Sequence, residues 1–397
     1  MPRRRSSSPR RPRGPRFAPT RAWGLGAALA AVSCFSGDAT VGAVCGEASD
    51  CGPGQQCRHE LCGRCGNGSH ESGELCYASP IAIDGAADVR SFHVADLDGN
   101  GRDELYVLDG AGALRRFAAP GRTLEAQDVA LPEPATGIAL GDADGDGRGD
   151  IVAFAGATIT VLVAAEDGSF VAAAPLDAGH VLAEATVVPT REAEGTLLFV
   201  DDQGSLFAMD LVDGAVAARV DVGTKVHVGP AVYFDDDEFV DVAFVDERQN
   251  RMGVVAGPRW DRLVRIDVGR GPTAVLGYDR DGDGRHDFLT LDRFGHTVTL
   301  VASSGEGDLR LLDSLAFATA PLAATAFDAD FDGTPDVFVG TDTTLEFWRG
   351  EIGRNPEGVT FAAGAIEAMA IAKFGAAPVF EILTLADGGL SRRAVDP

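Results

Sequence analysis

Short apolar runs headed by one residue return at regular intervals along this chain: Glu104-Leu-Tyr-Val-Leu, Asp150-Ile-Val-Ala-Phe, Thr196-Leu-Leu-Phe-Val, Asp241-Val-Ala-Phe-Val, Asp287-Phe-Leu-Thr-Leu, Asp336-Val-Phe-Val-Gly and Glu381-Ile-Leu-Thr-Leu. Their first residues are 46, 46, 45, 46, 49 and 45 positions apart. A fixed period of this length marks units that repeat along a solenoid or around a ring. Each period reads as four short alternating strands separated by Gly and Asp turns. In the first they are expected over Phe92 to Ala95, Glu104 to Leu108, Ala113 to Phe117 and Ala126 to Ala130, and no stretch carries a helical period. Seven units complete a circle, so the expected fold is all-β, a seven-bladed β-propeller over residues 77–397. The seventh unit has only three expected strands, Ala368 to Ile371, Glu381 to Leu385 and Leu390 to Ala394. The segment Pro80 to Ile83, ahead of the first unit, is expected to supply its fourth, closing the ring without leaving an open strand edge.

Immediately before four of the runs lies a nine-residue loop with a side-chain oxygen at offsets 0, 2, 4 and 8. These are Asp96, Asp98, Asn100 and Glu104; Asp142, Asp144, Asp146 and Asp150; Asp279, Asp281, Asp283 and Asp287; and Asp328, Asp330, Asp332 and Asp336. Carboxylates this dense repel one another unless a hard cation sits among them, and Ca²⁺ takes about six to eight oxygens. Glycine at offset 5 (Gly101, Gly147, Gly284, Gly333) allows a sharp turn. That turn directs the backbone carbonyl at offset 6, of Arg102, Arg148, Arg285 and Thr334, toward the same ion. An EF-hand would need a Glu at offset 11 and a following helix. Offset 11 holds Val107, Ala153, Thr290 and Val339, and a strand follows, so the EF-hand and dockerin readings fail. The expected cofactor is Ca²⁺, about four ions per chain.

These loops in register with the period resemble the FG-GAP and VCBS repeats, seven-bladed propellers such as the integrin α headpiece whose blades carry Asp-x-Asp-x-Asp-Gly-x-x-Asp calcium loops. The resemblance covers roughly residues 77–397. It implies the fold and the metal but says little about activity, because such propellers serve as scaffolds and as accessory domains. In the first loop Asn100 and Glu104 stand where Asp is usual, and the loop is expected to keep its metal. The fourth unit reads Tyr233, Asp235, Asp237, Glu238, Asp241, without the first ligand or the glycine, and is expected to hold none. Units three and seven have no site.

The first 33 residues place eight Arg and no acid ahead of the apolar run Ala22 to Val32, the pattern of a secretory signal. Export is expected, by one of two routes. Ordinary cleavage after a small residue is one. A lipobox, Ala31-Val32-Ser33 before a lipidated Cys34, is the other; Leu is usual where Ala31 stands, yet removing Cys34 from seven cysteines leaves an even six. Those six, Cys45, Cys51, Cys57, Cys62, Cys65 and Cys76, crowd residues 34–76. In an exported chain they point to disulfides rather than zinc, whose sites need a matching second half. The run Cys65 to Cys76 resembles Cys-rich modules beside secreted and surface proteins of myxobacteria, and implies a stalk between membrane and propeller. No other stretch is apolar for the ~18–20 residues of a membrane span.

The formal net charge of −26 becomes −34 once the eight leader arginines are removed, which argues against nucleic acid as a partner. Fifteen of the acids are loop ligands, and the rest suit a solvated surface. His59, His70, His93, His180, His227, His286 and His296 show no metal-ligand spacing, and no nucleophile elbow, phosphate loop or zinc-protease motif occurs. Trp260 and Trp348 read either as packing between blades or as a platform for sugar stacking. The expectation is a monomeric, non-catalytic propeller, lipid-anchored at the outer or cell-surface membrane or else secreted, that binds a protein or carbohydrate. A polysaccharide lyase or hydrolase and an envelope spacer are the alternatives.

Overall fold

The computed structural model describes residues 56–58, 61–63, 76–77, 80–119, 123–188, 195–329, 333–348, 350, 361–362, 364–375 and 380–396. The signal segment, Cys34, Cys45, Cys51 and Cys65 lie outside these. Of Cys57, Cys62 and Cys76 only the backbone is described: Cys57 faces Cys62 across a two-stranded hairpin, and Cys76 pairs with Asp396.

Seven antiparallel sheets follow one another along the chain. With strands named a to d from first to last, blade 1 is Val89–Ala95, Glu104–Asp109, Leu114–Ala118 and Glu125–Val129. Strand b begins at Asp150, Thr196, Asp241, Asp287 and Asp336 in blades 2 to 6, the residues that set the sequence period, and at Phe380 in blade 7. The a strands touch their neighbours in order around the ring, and Ile366–Ala372 of blade 7 meets Val89–Ala95 of blade 1. Blade 7 takes its outer strand from the start of the propeller: Ile81–Ala87 pairs with Gly389–Asp396, with Ser391 opposite Ala82 and Arg392 opposite Ile81. The lacing expected of Pro80 to Ile83 is therefore present, in a longer strand.

Alternation is lost in the middle of the blades. The b strands Asp241–Asp246, Asp287–Asp292 and Asp336–Thr341 are buried at every position, whereas the d strand Val216–Asp221 is mostly exposed. Each blade is covered on both faces by its neighbours, so its middle strands must be apolar on both sides, as in other doubly covered sheets. The a strands are rich in Ala, Gly and Thr because seven of them converge on one axis. A Cβ on Gly141 would sit 2.8 Å from Val187 of the next blade, and one on Gly277 would sit 2.6 Å from Val232 of the blade before. The buried apolar residues form seven clusters, one between each pair of neighbours. The blade 7–blade 1 cluster includes Ile83 and Ala86 from the lacing strand. Trp260 and Trp348 are 5% and 6% exposed and belong to the clusters of blades 3–4 and 5–6. They are packing residues, and the sugar-platform reading falls.

Candidate metal centres

Each loop joins strand a to strand b on one face of the ring, and is built by its own acids. The offset-0 aspartate accepts the N–H of the offset-5 glycine in all four: Asp96 from Gly101 at 2.7 Å, Asp142 from Gly147 at 2.9 Å, Asp279 from Gly284 at 3.0 Å and Asp328 from Gly333 at 2.9 Å. The four glycines have φ between +79° and +88°. A Cβ would meet nothing there, so backbone conformation and not space demands glycine. The offset-4 side chain accepts the offset-6 amide, as in Asn100 from Arg102 (2.9 Å), Asp146 from Arg148 (2.8 Å) and Asp283 from Arg285 (2.9 Å). These are Asx turns, which close without any ion. They also leave oxygens converging. Asp142, Asp144 and Asp146 each offer one within 4.8 Å of the others, as do Asp279, Asp281 and Asp283, and as do Asp96, Asp98 and Glu104. An all-oxygen donor set of carboxylates fits a hard cation such as Ca²⁺ better than zinc or copper. In blade 6, Asp330 and Asp332 lie outside the described residues.

The offset-8 acids have a second role that spacing alone did not reveal. Asp150 accepts the amides of Ala143 (2.9 Å) and Ala164 (2.8 Å), Asp241 those of Phe234 and Gly257 (both 3.0 Å), and Asp336 those of Ala329 (3.0 Å) and Gly350 (2.8 Å). Each thus ties the start of its loop to the end of strand c or to a residue just past it, and does so fully buried. Burial pushes the Asp150 and Asp287 carboxyls up from their ordinary values, and that of Asp241 up to about 6. In blade 1 the longer Glu104 spends one oxygen on the amide of Leu97 at 3.2 Å and reaches the ion-site carboxylates as well.

Arginines also meet these carboxylates, some from outside the loops. Arg116, on strand c of blade 1, bridges Asp98 (3.0 Å) and Glu104 (3.2 Å). Arg280 bridges the same two offsets in blade 5, Asp281 at 3.2 Å and Asp287 at 3.1 Å. Arg148 and Arg285 pair with Asp146 and Asp283 beside them, and the Arg102 side chain donates instead to the Ala119 carbonyl at 3.3 Å. In the decayed blade 4, Arg262 holds Asp235 at 2.9 Å, and in blade 7 Arg392 holds Glu381 at 3.2 Å.

Neighbouring loops are stapled together. The offset-7 amides of Asp103, Gly149, Gly195 and His286 donate to Lys373, Leu97, Ala143 and Tyr233 of the preceding blade, at 2.9, 3.3, 3.2 and 2.7 Å. His286 turns its ring back to accept the Tyr233 amide at 3.2 Å.

On the opposite face, where the a strands begin, His227 of blade 4 lies between Glu184 of blade 3 (2.7 Å) and Glu247 (3.4 Å), with Lys225 2.5 Å from Glu247. The Glu184 hydrogen bond, opposed by burial, holds the imidazole above its usual value. Raised in the fold, this group lends stability that is complete below about pH 6.5 and is lost as pH rises through the folded value. Melting curves from pH 6 to 8 should therefore fall more steeply for the parent than for His227→Gln; parallel curves would show that the bridge contributes nothing.

A family model described as an FG-GAP-like repeat matches residues 279–339, from the blade-5 loop into strand b of blade 6. Similar solved structures include the crystal structure of BBS1N in complex with ARL6DN, soaked with mercury. It is 14% identical, covers 81% of this chain and 97% of that one, and has a TM-score of 0.59. The same complex soaked with lead is 13% identical over 81% and 97%, with a TM-score of 0.57. No curated protein matches the chain. The chain is an all-β, seven-bladed propeller that contains an FG-GAP-like repeat.

Proposed function

We propose that this protein is an exported, calcium-binding propeller, anchored through a lipid on Cys34 and a disulfide-stapled stalk, that binds a protein or carbohydrate partner and performs no chemistry of its own. The observation that carries the metal part is the convergence of three acidic side chains in each of three loops on one face. Asp96, Asp98, Asn100 and Glu104, with Asp142 to Asp150, Asp279 to Asp287 and Asp328 to Asp336, would hold the ions. Bound Ca²⁺ would supply charge neutralisation and stiffen the loops. Partner binding takes support from the fold: BBS1N, whose structure is similar to this one, was crystallised in complex with ARL6DN.

Ion counting on protein equilibrated with millimolar Ca²⁺ should find about four ions. Asp144→Ala should lose one and Asp235→Ala none; fewer than three ions in the parent, or equal losses, would overturn the assignment. In cells, Cys34→Ser should move the protein from the membrane fraction to the soluble one, and a parent that is already soluble would remove the anchor from the proposal.

A further inference from the structure

Of the three fully described acidic loops, those of blades 1 and 5 have an arginine bridging offsets 2 and 8, and that of blade 2 does not. In blade 2 the only ion pair on the loop acids among the described residues is Arg148 with Asp146. Arg148 is 37% exposed, meets one acid that is itself 28% exposed, and donates its Nε to the Ala164 carbonyl of its own blade at 3.2 Å. In blade 1, Arg116 is 13% exposed and grips Asp98 and Glu104 together, while a second nitrogen donates to the Gly168 carbonyl of blade 2 at 3.3 Å. It cannot leave without abandoning a 2% exposed carboxylate. Blade 4, which has lost its first ligand and its glycine, carries the same device further along. Arg262 reaches Asp235 while its other nitrogen donates to the Glu306 and Gly307 carbonyls of blade 5, at 3.0 and 2.8 Å. One guanidinium there joins a loop acid to the neighbouring blade, which is the work a metal-ordered loop would do.

We infer that arginine and metal are alternative staples in this ring: Arg262 has replaced the ion in blade 4, and Arg116 competes with it in blade 1, making that loop the weaker site and the blade-2 loop the tighter one. The inference rests on the calcium reading above. Its physics is Coulombic. An ion that coordinates Asp98 and Glu104 must displace a guanidinium or sit within a few ångströms of it, and either course costs binding energy in a partly dehydrated site. At the four ligand offsets the blade-1 loop has three acids against the four of blade 2, and Arg116 offsets one of the three. An open cleft of about 490 Å³, lined by Asp98, Asn100, Arg102, Arg116, Glu125 and Gln127, gives the ion a route in, so access does not set the difference.

Terbium luminescence sensitised by tyrosine tests this on the whole protein, with Ca²⁺ as competitor. Tyr106 lies two residues beyond Glu104 on strand b and so shares its face. The signal lost in Tyr106→Phe, which keeps the buried ring, identifies the blade-1 site. Arg116→Gln should tighten that component about tenfold or more. It should also melt below the parent in EDTA and level with it in Ca²⁺, because the ion takes over the staple. Arg262→Gln should melt lower by the same amount in both. An unchanged or weakened blade-1 component in Arg116→Gln overturns the inference while leaving calcium binding at the other loops intact; no terbium or Ca²⁺ binding at any loop overturns the calcium reading with it. If Arg116→Gln does not fold in Ca²⁺, Arg116→Lys takes its place, since one ammonium cannot hold the two acids and the Gly168 carbonyl of blade 2 together, and the same shift in smaller size is required.

Discussion

Deleting residues 77–86 should abolish cooperative unfolding of the whole ring rather than loosen one loop. The segment supplies most of the outer strand of blade 7, and its removal bares the edge of Gly389–Asp396 to pairing with other molecules. It also takes Ile83 and Ala86 out of the cluster between blades 7 and 1. Loss of a buried Ile side chain alone costs about 2–5 kcal/mol, against a total stability of about 5–15 kcal/mol for a typical native protein. A ring has no spare interface: opening one exposes the faces of two blades. The deleted protein should show a broad, low-temperature transition and a tendency to aggregate, while Ile83→Ala should melt cooperatively at a reduced temperature. Calorimetry decides it, and a deletion variant that melts like the parent would mean that the ring is closed by blade packing and not by the shared strand.

Chelation should lower the melting temperature by on the order of 5–10 °C. A site with a dissociation constant of about 10⁻⁴–10⁻³ M, usual for extracellular modules, gains roughly 0.6–1.8 kcal/mol in about 2 mM Ca²⁺. Several such sites together shift a domain of this size by several degrees. The loops in blades 1 and 2 are tied by the hydrogen bond from Gly149 to the Leu97 carbonyl, and those of blades 2 and 3 by Gly195 to Ala143, so the gain should reach the interfaces and not only the loops. The effect should saturate with Ca²⁺ and shrink by about a quarter in Asp144→Ala, as one lost site of four requires. Melting in EDTA and in Ca²⁺ measures it directly. Equal midpoints would show that the Asx turns hold the loops without help from any ion.

The legible part of this protein is what lies within one or two turns of chain. The period of the strand-b runs counted the blades, because each blade repeats the same short-range turn chemistry. The offset-5 glycine was readable because its positive φ is a property of a few consecutive residues. The orphan strand at the front was readable because the last unit is one strand short. The alternation expected throughout each blade is lost in the b strands, since the second covered face of a middle strand belongs to a neighbouring blade that no local pattern records. The Trp residues went inside for the same reason.

What the tertiary structure alone decided is which distant groups meet the acids. Arg116 lies 18 residues from Asp98, and Arg262 lies 27 from Asp235 and 45 from Gly307; strand pairing and blade packing bring them together, and no motif spacing encodes it. Asp150, Asp241 and Asp336, read in sequence from their offset alone, are also buried clamps on two backbone amides in the fold, because a second donor comes from the end of strand c, 14 residues away from Asp150. Sequence thus determined the fold and the candidate ion loops, through turns and strands whose hydrogen bonds are local. The balance of charge within each loop was left to the sheet, which alone sets whether a guanidinium or open space faces it.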